Sequence, residues 1–423
     1  MKRILLVFLV LCLVCPFTAV YASEPELQYD SVVTGTGKPE IDVTSVQEAA
    51  NKGGKILLKG RFNFGNKGQV SITKDIEIYG ETDSNGKPLT KLSGGFWTLH
   101  SQLPTTELPL PGPGPRITIK HIHFEGATWS PLHFPYVSGA EISENKITGL
   151  KPFVLPIKWK GGDSILAVTG IALGTRFAHK EKLLPGAVTG NLIIENNFID
   201  LKCENPRMTM GHGIFFPWTW GASIEVRNNK IRNASRNAIE ALDNYIDEDG
   251  KGSISIIGNN IITPQDGCPF PGPTSYPNGI VFGWFFDRSG SSDSSKNSKI
   301  TIFRNFVQAN GELSTGITSM ANGAAILGNR IQLKSGQGAR GITQLGSNGF
   351  IARNQIDGKG KIALCSVAWK EFKGSRNIFA WNDLRQFEAI QSDIICTGDE
   401  NTFIGSDSKI EDIGKENKNL VIH

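Results

Sequence analysis

Apolar and polar positions in this chain follow one short pattern that keeps returning: apolar–x–apolar–x–x–Asn–x–apolar. It is clearest in LIIENNFI, Leu192 to Ile199. It reads EISENKI at Glu141–Ile147, SIEVRNNKI at Ser223–Ile231 and SISIIGNNII at Ser253–Ile262. Later copies are KITIFRNFV, AAILGNRI, GFIARNQI and NIFAWNDL, ending at Leu384. Alternation with period two is the mark of a strand with one buried face. Aligning the copies puts Asn145, Asn197, Asn229, Asn260, Asn305, Asn329, Asn354 and Asn382 in one column. RITIKHIHF also fits, with Ile122 where the later copies carry Asn.

Between these copies runs a second signature, a small residue followed by Ile: GIALGT at Gly170, GIFFPW at Gly213, AIEALD at Ala238, GIVFGW at Gly279, GITSM at Gly316 and GITQL at Gly341. Each repeat therefore holds at least two strands, with room for a third. Strands of this length are stable only when stacked on the coils above and below, with hydrogen bonds along the stacking axis. An inward Asn at the corner can then bond the Asn of the next coil and satisfy polar groups at a buried turn. A leucine-rich repeat shares the core spacing. Here Ile outnumbers Leu, repeat length varies, and the second limb is a Gly-Ile strand where a helix would be required. The pattern predicts an all-β chain, a parallel β-helix or solenoid.

DVTSVQEAANKGG reads as a short amphipathic helix with Asp42 or Thr44 as N-cap and Gly53-Gly54 as its end. Its place ahead of the strand array suits a cap on the first coil. The expected layout is a signal peptide at 1–22, a linker at 23–41 and a β-helix domain at 42–423, with insertions near 103–115, 151–185 and 269–297. The middle insertion holds TGIALGT, which reads as an extra coil.

The repeated IxxNxI coils, the capping helix and the export signal resemble the right-handed parallel β-helix proteins of the pectin-lyase-like superfamily, with repeats of the PbH1 kind, from about Asp42 to the C-terminus. The resemblance implies the fold, and a site outside the helix on one sheet and its flanking loops. It leaves activity open, because this fold hosts lyases, hydrolases, epimerases, adhesins and proteins with no assigned role.

Lys2 and Arg3, the apolar run Ile4 to Val14 and Val20-Tyr21-Ala22 make a secretory signal. The expected location is secreted or periplasmic, with no integral membrane segment after signal removal. The formal charge of +4 includes the two signal cations. The mature chain is near neutral, which gives no reason to expect nucleic acid. Cys203, Cys268, Cys365 and Cys396 remain after cleavage. Cys365 and Cys396 fall about one repeat apart, so a disulfide and buried free thiols are both open.

Aligned from their Ile residues, the Gly-Ile strands stack Trp218, Asp243 and Trp284 in one column and Trp220, Tyr245 and Phe286 two places on. Phe215, Glu240 and Val281 form a third column. Aromatic faces stack on sugar rings, and carboxylates bond hydroxyls or act as acid and base. Glu240 and Asp243 are the candidate catalytic pair. Trp218, Trp220, Tyr245, Trp284, Phe286, Arg236 and His212 are the candidate substrate contacts, and Arg236, Arg232 and Arg288 can neutralise an acidic sugar. His212, in Gly211-His212-Gly213-Ile214, is similar to one motif of the polygalacturonases; their paired aspartates and Arg-x-Lys partner have no counterpart here. The expected partner is a polysaccharide or oligosaccharide, handled by lyase or hydrolase chemistry, with no cofactor and no metal assigned. Two alternatives stay open: a non-catalytic surface or binding protein, and a metal-handling periplasmic protein in which His121 and His123 join His100 or His133.

Overall fold

The computed structural model describes residues 28–158, 162, 164–175, 184–268, 277–334, 336–405 and 409–420, apart from 284–298. The expected signal at 1–22 lies outside the described residues.

The chain winds as a parallel β-helix of three strand stacks. The first is a fourteen-stranded sheet running from Ser31–Thr34, through Gly54–Lys59, Gly139–Ser143, Asn191–Glu195 and Ser223–Arg227, to Lys418–Leu420. Neighbouring strands are parallel and in register, so each apolar position meets its equivalent one coil on. The Ile119, Ile142, Ile194, Val226, Ile256, Ile302, Ile326 and Ile351 column is one such stack. All of its members are fully enclosed. Each contributes roughly 1.5–3 kcal/mol of apolar burial.

A second stack holds the short strands after the corner, among them Lys146–Thr148, Phe198–Asp200 and Lys230–Arg232. The third holds Leu99–Ser101, Leu132–Phe134, Ser164–Leu173, Thr209–Trp220, Asn237–Tyr245, Asn278–Gly283 and their successors. Gln355–Ser366 runs unbroken through both of these stacks and so joins them into one hydrogen-bonded network.

The corner is built on asparagine. The Oδ1 of Asn197 accepts from the backbone N–H of Asn145 at 3.0 Å and from its Nδ2 at 3.1 Å, and the same double acceptance repeats from Asn229 to Asn382. Each donor nitrogen also reaches a main-chain carbonyl of the previous coil, as from Asn197 to Ile142 at 2.8 Å. Ile122 ends the ladder, its N–H donating to Asn145 Oδ1. One expected member is displaced: Asn259, not Asn260, occupies the ladder. Asn260 instead opens the exposed start of Asn260–Ile262 and pairs with Lys230 and Phe306. The residue before the ladder takes positive φ in coil after coil, as at Glu144 (58°), Asn196 (55°), Asn228 (55°) and Gly258 (64°), which turns the chain sharply into the next strand. A second ladder, Asn377 to Asn401 to Asn417, closes a neighbouring corner near the C-terminus.

The helix Pro39–Lys52 buries Val46, Ala49 and Ala50 against the first coils. It begins earlier than expected, and Lys38 at its N-cap supplies no side-chain bond. Asp42, expected as cap, is enclosed within the first turns. Its carboxylate accepts from Thr36 N, Thr36 Oγ1, Gly37 N and Asn63 N, so it ties the entry segment to the first coil. The segment expected as a linker also contains the strand Ser31–Thr34, paired to Ile56–Lys59. The TGIALGT coil is present: Ile171 stands between Leu132 and Ile214 in the third sheet. Cys365 and Cys396 do not face each other. Cys365 pairs in register with Ile395, and Ser366 with Cys396, so alternation sends the two thiols to opposite faces. None of the four described cysteines forms a disulfide. No helix among the described residues is long and apolar enough to cross a membrane.

Candidate functional site

In the third sheet Leu132, Ile171, Ile214, Ile239, Ile280 and Ile317 stack into the core. The next residue on each strand therefore faces outward. That outer column runs His100, His133, Ala172, Phe215, Glu240, Val281 and Thr318. Chemistry concentrates at two places along it.

At the first, His212 Nε2 lies 2.7 Å from Glu240 Oε2. The two are not register partners, since His212 pairs with Asn237 and Glu240 with Phe215. The imidazole stacks on Phe215 with centroids 4.7 Å apart and meets the carboxylate diagonally across the coil. Glu240 is 4% exposed. Burial works to raise its pKa, but the charge and hydrogen bond of His212, the Arg236 guanidinium and the Asn237 side chain outweigh it and hold the carboxyl at about 2. Asn237 is itself fixed by Asn278, whose Nδ2 donates to Asn237 Oδ1 at 2.8 Å. Arg236 is half-buried, and burial depresses its pKa against the opposing pull of Glu240. Its Nη1 is enclosed and has no hydrogen-bond partner.

Asp243 has a different partner. Trp218 Nε1 donates to Asp243 Oδ2 at 3.2 Å, and Asp243 is fully buried. Trp218 and Asp243 stack one above the other between the pairs Pro217–Leu242 and Thr219–Asn244. Both take positive φ, 57° and 53°. For a bulky Trp this is an uncommon, costly conformation, and it interrupts the in–out alternation. Tyr245 beyond it joins the main core, stacked on Trp220 at 5.1 Å, while Trp220 keeps partial exposure. Of the expected aromatic shelf, then, Tyr245 is enclosed and Trp220 reaches the surface. Trp284, Phe286 and Arg288 lie outside the described residues.

The second concentration is a pocket assembled from separate coils. Trp97, His100 and His133 line a cavity of about 630 Å³ beside the proline-rich excursion, whose Leu103 and Thr106 form part of its wall. A satellite apolar cluster backs it, built from Trp129, Leu155, Ile165 and Ala167 with Phe96, Trp97 and Phe153. The sequence signal was available: Phe96-Trp97 and Trp129 each sit three or four residues ahead of a histidine in successive coils.

The metal reading finds no support in the arrangement. No group of three or more His, Cys, Asp or Glu able to hold a metal occurs among the described residues. His123 lies in the second stack, in register with Lys91 and Lys146, and its Nε2 is 2.9 Å from Thr148 Oγ1. His121 occupies the corner, 3.3 Å from Glu144. Neither shares a sheet face with His100 and His133, because the helix has turned a corner between them.

Two solved structures are similar to this one. The A-module of the mannuronan C-5 epimerase AlgE6 of Azotobacter vinelandii has a TM-score of 0.32 and 10% identity, covering 87% of this chain and 99% of its own. A mannuronic-acid-specific polysaccharide family 6 lyase from human gut microbiota has a TM-score of 0.35 and 10% identity, covering 93% of this chain and 82% of its own. No family model and no curated protein matches the chain. The β-helix assignment rests on the strand pairings, and a likeness this distant carries nothing about the site.

Proposed function

We propose that the protein is exported and engages an acidic polysaccharide along the outer face of the third sheet, near Arg236. The observation that carries this is the unpartnered, enclosed Nη1 of Arg236 beside the His212–Glu240 pair. A guanidinium with a donor to spare is suited to a carboxylate of a sugar acid. The signal-like segment at 1–22 supports export.

Within this reading the chemistry favours a lyase over a hydrolase. A hydrolase acid must hold its proton near neutral pH, whereas Glu240 is held ionised. In a lyase reaction the neutral form of His212, oriented by its bond to Glu240, would take the proton α to a sugar carboxylate, the C–O bond one carbon further on would break with its oxygen leaving as a hydroxyl, and Arg236 would stabilise the charge on the carboxylate between the two events. A second reading, binding without turnover, is favoured by the enclosure of His212 and Glu240, whose side chains are 4% and 6% exposed.

The purified mature chain should be screened against polyuronates and neutral glycans for binding and for new unsaturated or reducing ends. Polyuronate binding, weakened at least about tenfold in Arg236→Gln as expected for a lost charged hydrogen bond, supports the reading. Unsaturated ends assign lyase chemistry, and binding without new ends assigns the second reading. Polyuronate affinity that is absent, or unchanged in Arg236→Gln, overturns both.

A further inference from the structure

We propose that the cavity between Trp97, His100, His133 and Gln102 is a second binding site, one that takes a neutral, hydroxyl-rich ligand of the uncharged-sugar class. It does not rest on the Arg236 reading: the site is different and so is the ligand.

Three observations carry it. First, His133 is 2% exposed and neither of its ring nitrogens has a hydrogen-bond partner. The Nε1 of Trp97, stacked on it with centroids 4.2 Å apart, is also buried and unpartnered. Buried polar atoms are paired in the great majority of cases. Three unpaired ring nitrogens in one contact, all from side chains lining a single cavity, are polar capacity kept for something that enters it.

Second, the cavity contains no Asp, Glu, Lys or Arg in its lining; its polar members are Gln, Ser, Thr and His. Burial, followed by the proximity of His100, holds the His133 pKa down at about 3, and burial also lowers that of His100. At neutral pH both rings are therefore uncharged; His133 keeps one donor and one acceptor, while His100, whose Nδ1 meets Ser101 O at 3.3 Å, keeps Nε2 as an acceptor. A hydroxyl is donor and acceptor at once and matches such a ring. A carboxylate or phosphate would lose its hydration there without gaining an opposite charge.

Third, the walls are fixed. Gln47 bonds Ser71 in both directions, at 2.9 and 2.7 Å, and Ser101 Oγ accepts from Tyr136 N. The proline-rich excursion is pinned by Tyr136 Oη donating to Gly112 O and Ser138 Oγ donating to Gly114 O, both at 2.7 Å. Gln102, exposed at the rim, makes no part of that scaffold. The volume lies within the roughly 300–1,000 Å³ typical of small-ligand pockets.

The test is calorimetric titration of the mature chain with cellotetraose, mannotetraose, xylotetraose and tetramannuronate, alongside melting curves. His133→Phe keeps the stack on Trp97 but removes both nitrogens. It is expected to weaken neutral binding at least tenfold, while the melting temperature holds or rises because unpaired buried groups have been removed. Gln102→Ala, at the exposed rim, is expected to weaken it several-fold with no change in melting, and Arg236→Gln to leave it unchanged. The proposal is overturned if no neutral tetrasaccharide binds, if only tetramannuronate binds, or if neutral affinity stays within twofold of wild type in both His133→Phe and Gln102→Ala. A melting shift with Cu²⁺ or Zn²⁺ that is lost in His133→Phe, in the absence of sugar binding, overturns it equally. Loss of polyuronate binding in Arg236→Gln tests the other site and leaves this result untouched.

Discussion

The asparagine corner and the outer face of the third sheet are made from similar groups and treat them in opposite ways. At the corner every buried amide from Asn145 to Asn354 donates to the next coil and to a carbonyl, and every ladder oxygen from Asn197 to Asn382 accepts twice. On the outer face, Trp97, His133 and Arg236 keep buried nitrogens unpaired, and Glu240 is enclosed as a charge. The contrast separates polar groups that hold the winding together from polar groups held ready at the stability's expense.

Removing one partner of the buried pair should produce the largest effect. His212→Leu leaves the enclosed Glu240 without its nearest partner, and the expected loss is about 3–5 kcal/mol in chemical denaturation. Replacing Asn229 with Ala strands the donors of Asn197 and removes its own bonds to Asn259 and Ile194. With about 1–3 kcal/mol for each buried group left unpaired, a loss on the order of 3 kcal/mol is expected, against a smaller one for Asn382→Ala at the less enclosed end of the ladder.

Acid sharpens the same contrast. The folded-state pKa of Glu240 is depressed, so its contribution to stability is complete above the ordinary carboxylate range and fades as pH falls toward 2. Ladder amides do not titrate. Glu240→Gln should therefore flatten part of the acid limb of stability against pH between about 4.5 and 2, and Asn229→Ala should lower the curve without reshaping it. At the small end, reducing agent is expected to leave the melting temperature unmoved, because Cys365 and Cys396 are free and lie on opposite faces.

Much of the winding was legible because the period-two pattern and the corner amide repeat the same physics in every coil. In the corner column Asn259 takes the place expected of Asn260, because adjacent asparagines both fit the spacing and only the backbone decides which of them turns inward. The outer columns were legible too, since Phe215, Glu240 and Val281 do stand in register. What alignment could not supply was the diagonal reach of His212 to Glu240, which depends on side-chain direction and on what covers the face. Nor could it foresee positive φ at Trp218 and Asp243, a conformation that bulky residues rarely take and that turned Tyr245 into the core. The Trp97 cavity escaped because its parts come from separate coils and from an excursion with no repeat of its own.

The ladder partners are separated along the chain by as few as 24 and as many as 52 residues, yet the bond between them hardly changes length. One corner thus acts as a metronome for the whole molecule: it resets the phase once per turn, whatever the chain has done since the last beat. Segments inserted elsewhere in a turn can lengthen, shorten or be exchanged without any accumulated error reaching the next coil, so the loops that flank the sheets can be rewritten while the winding stays the same.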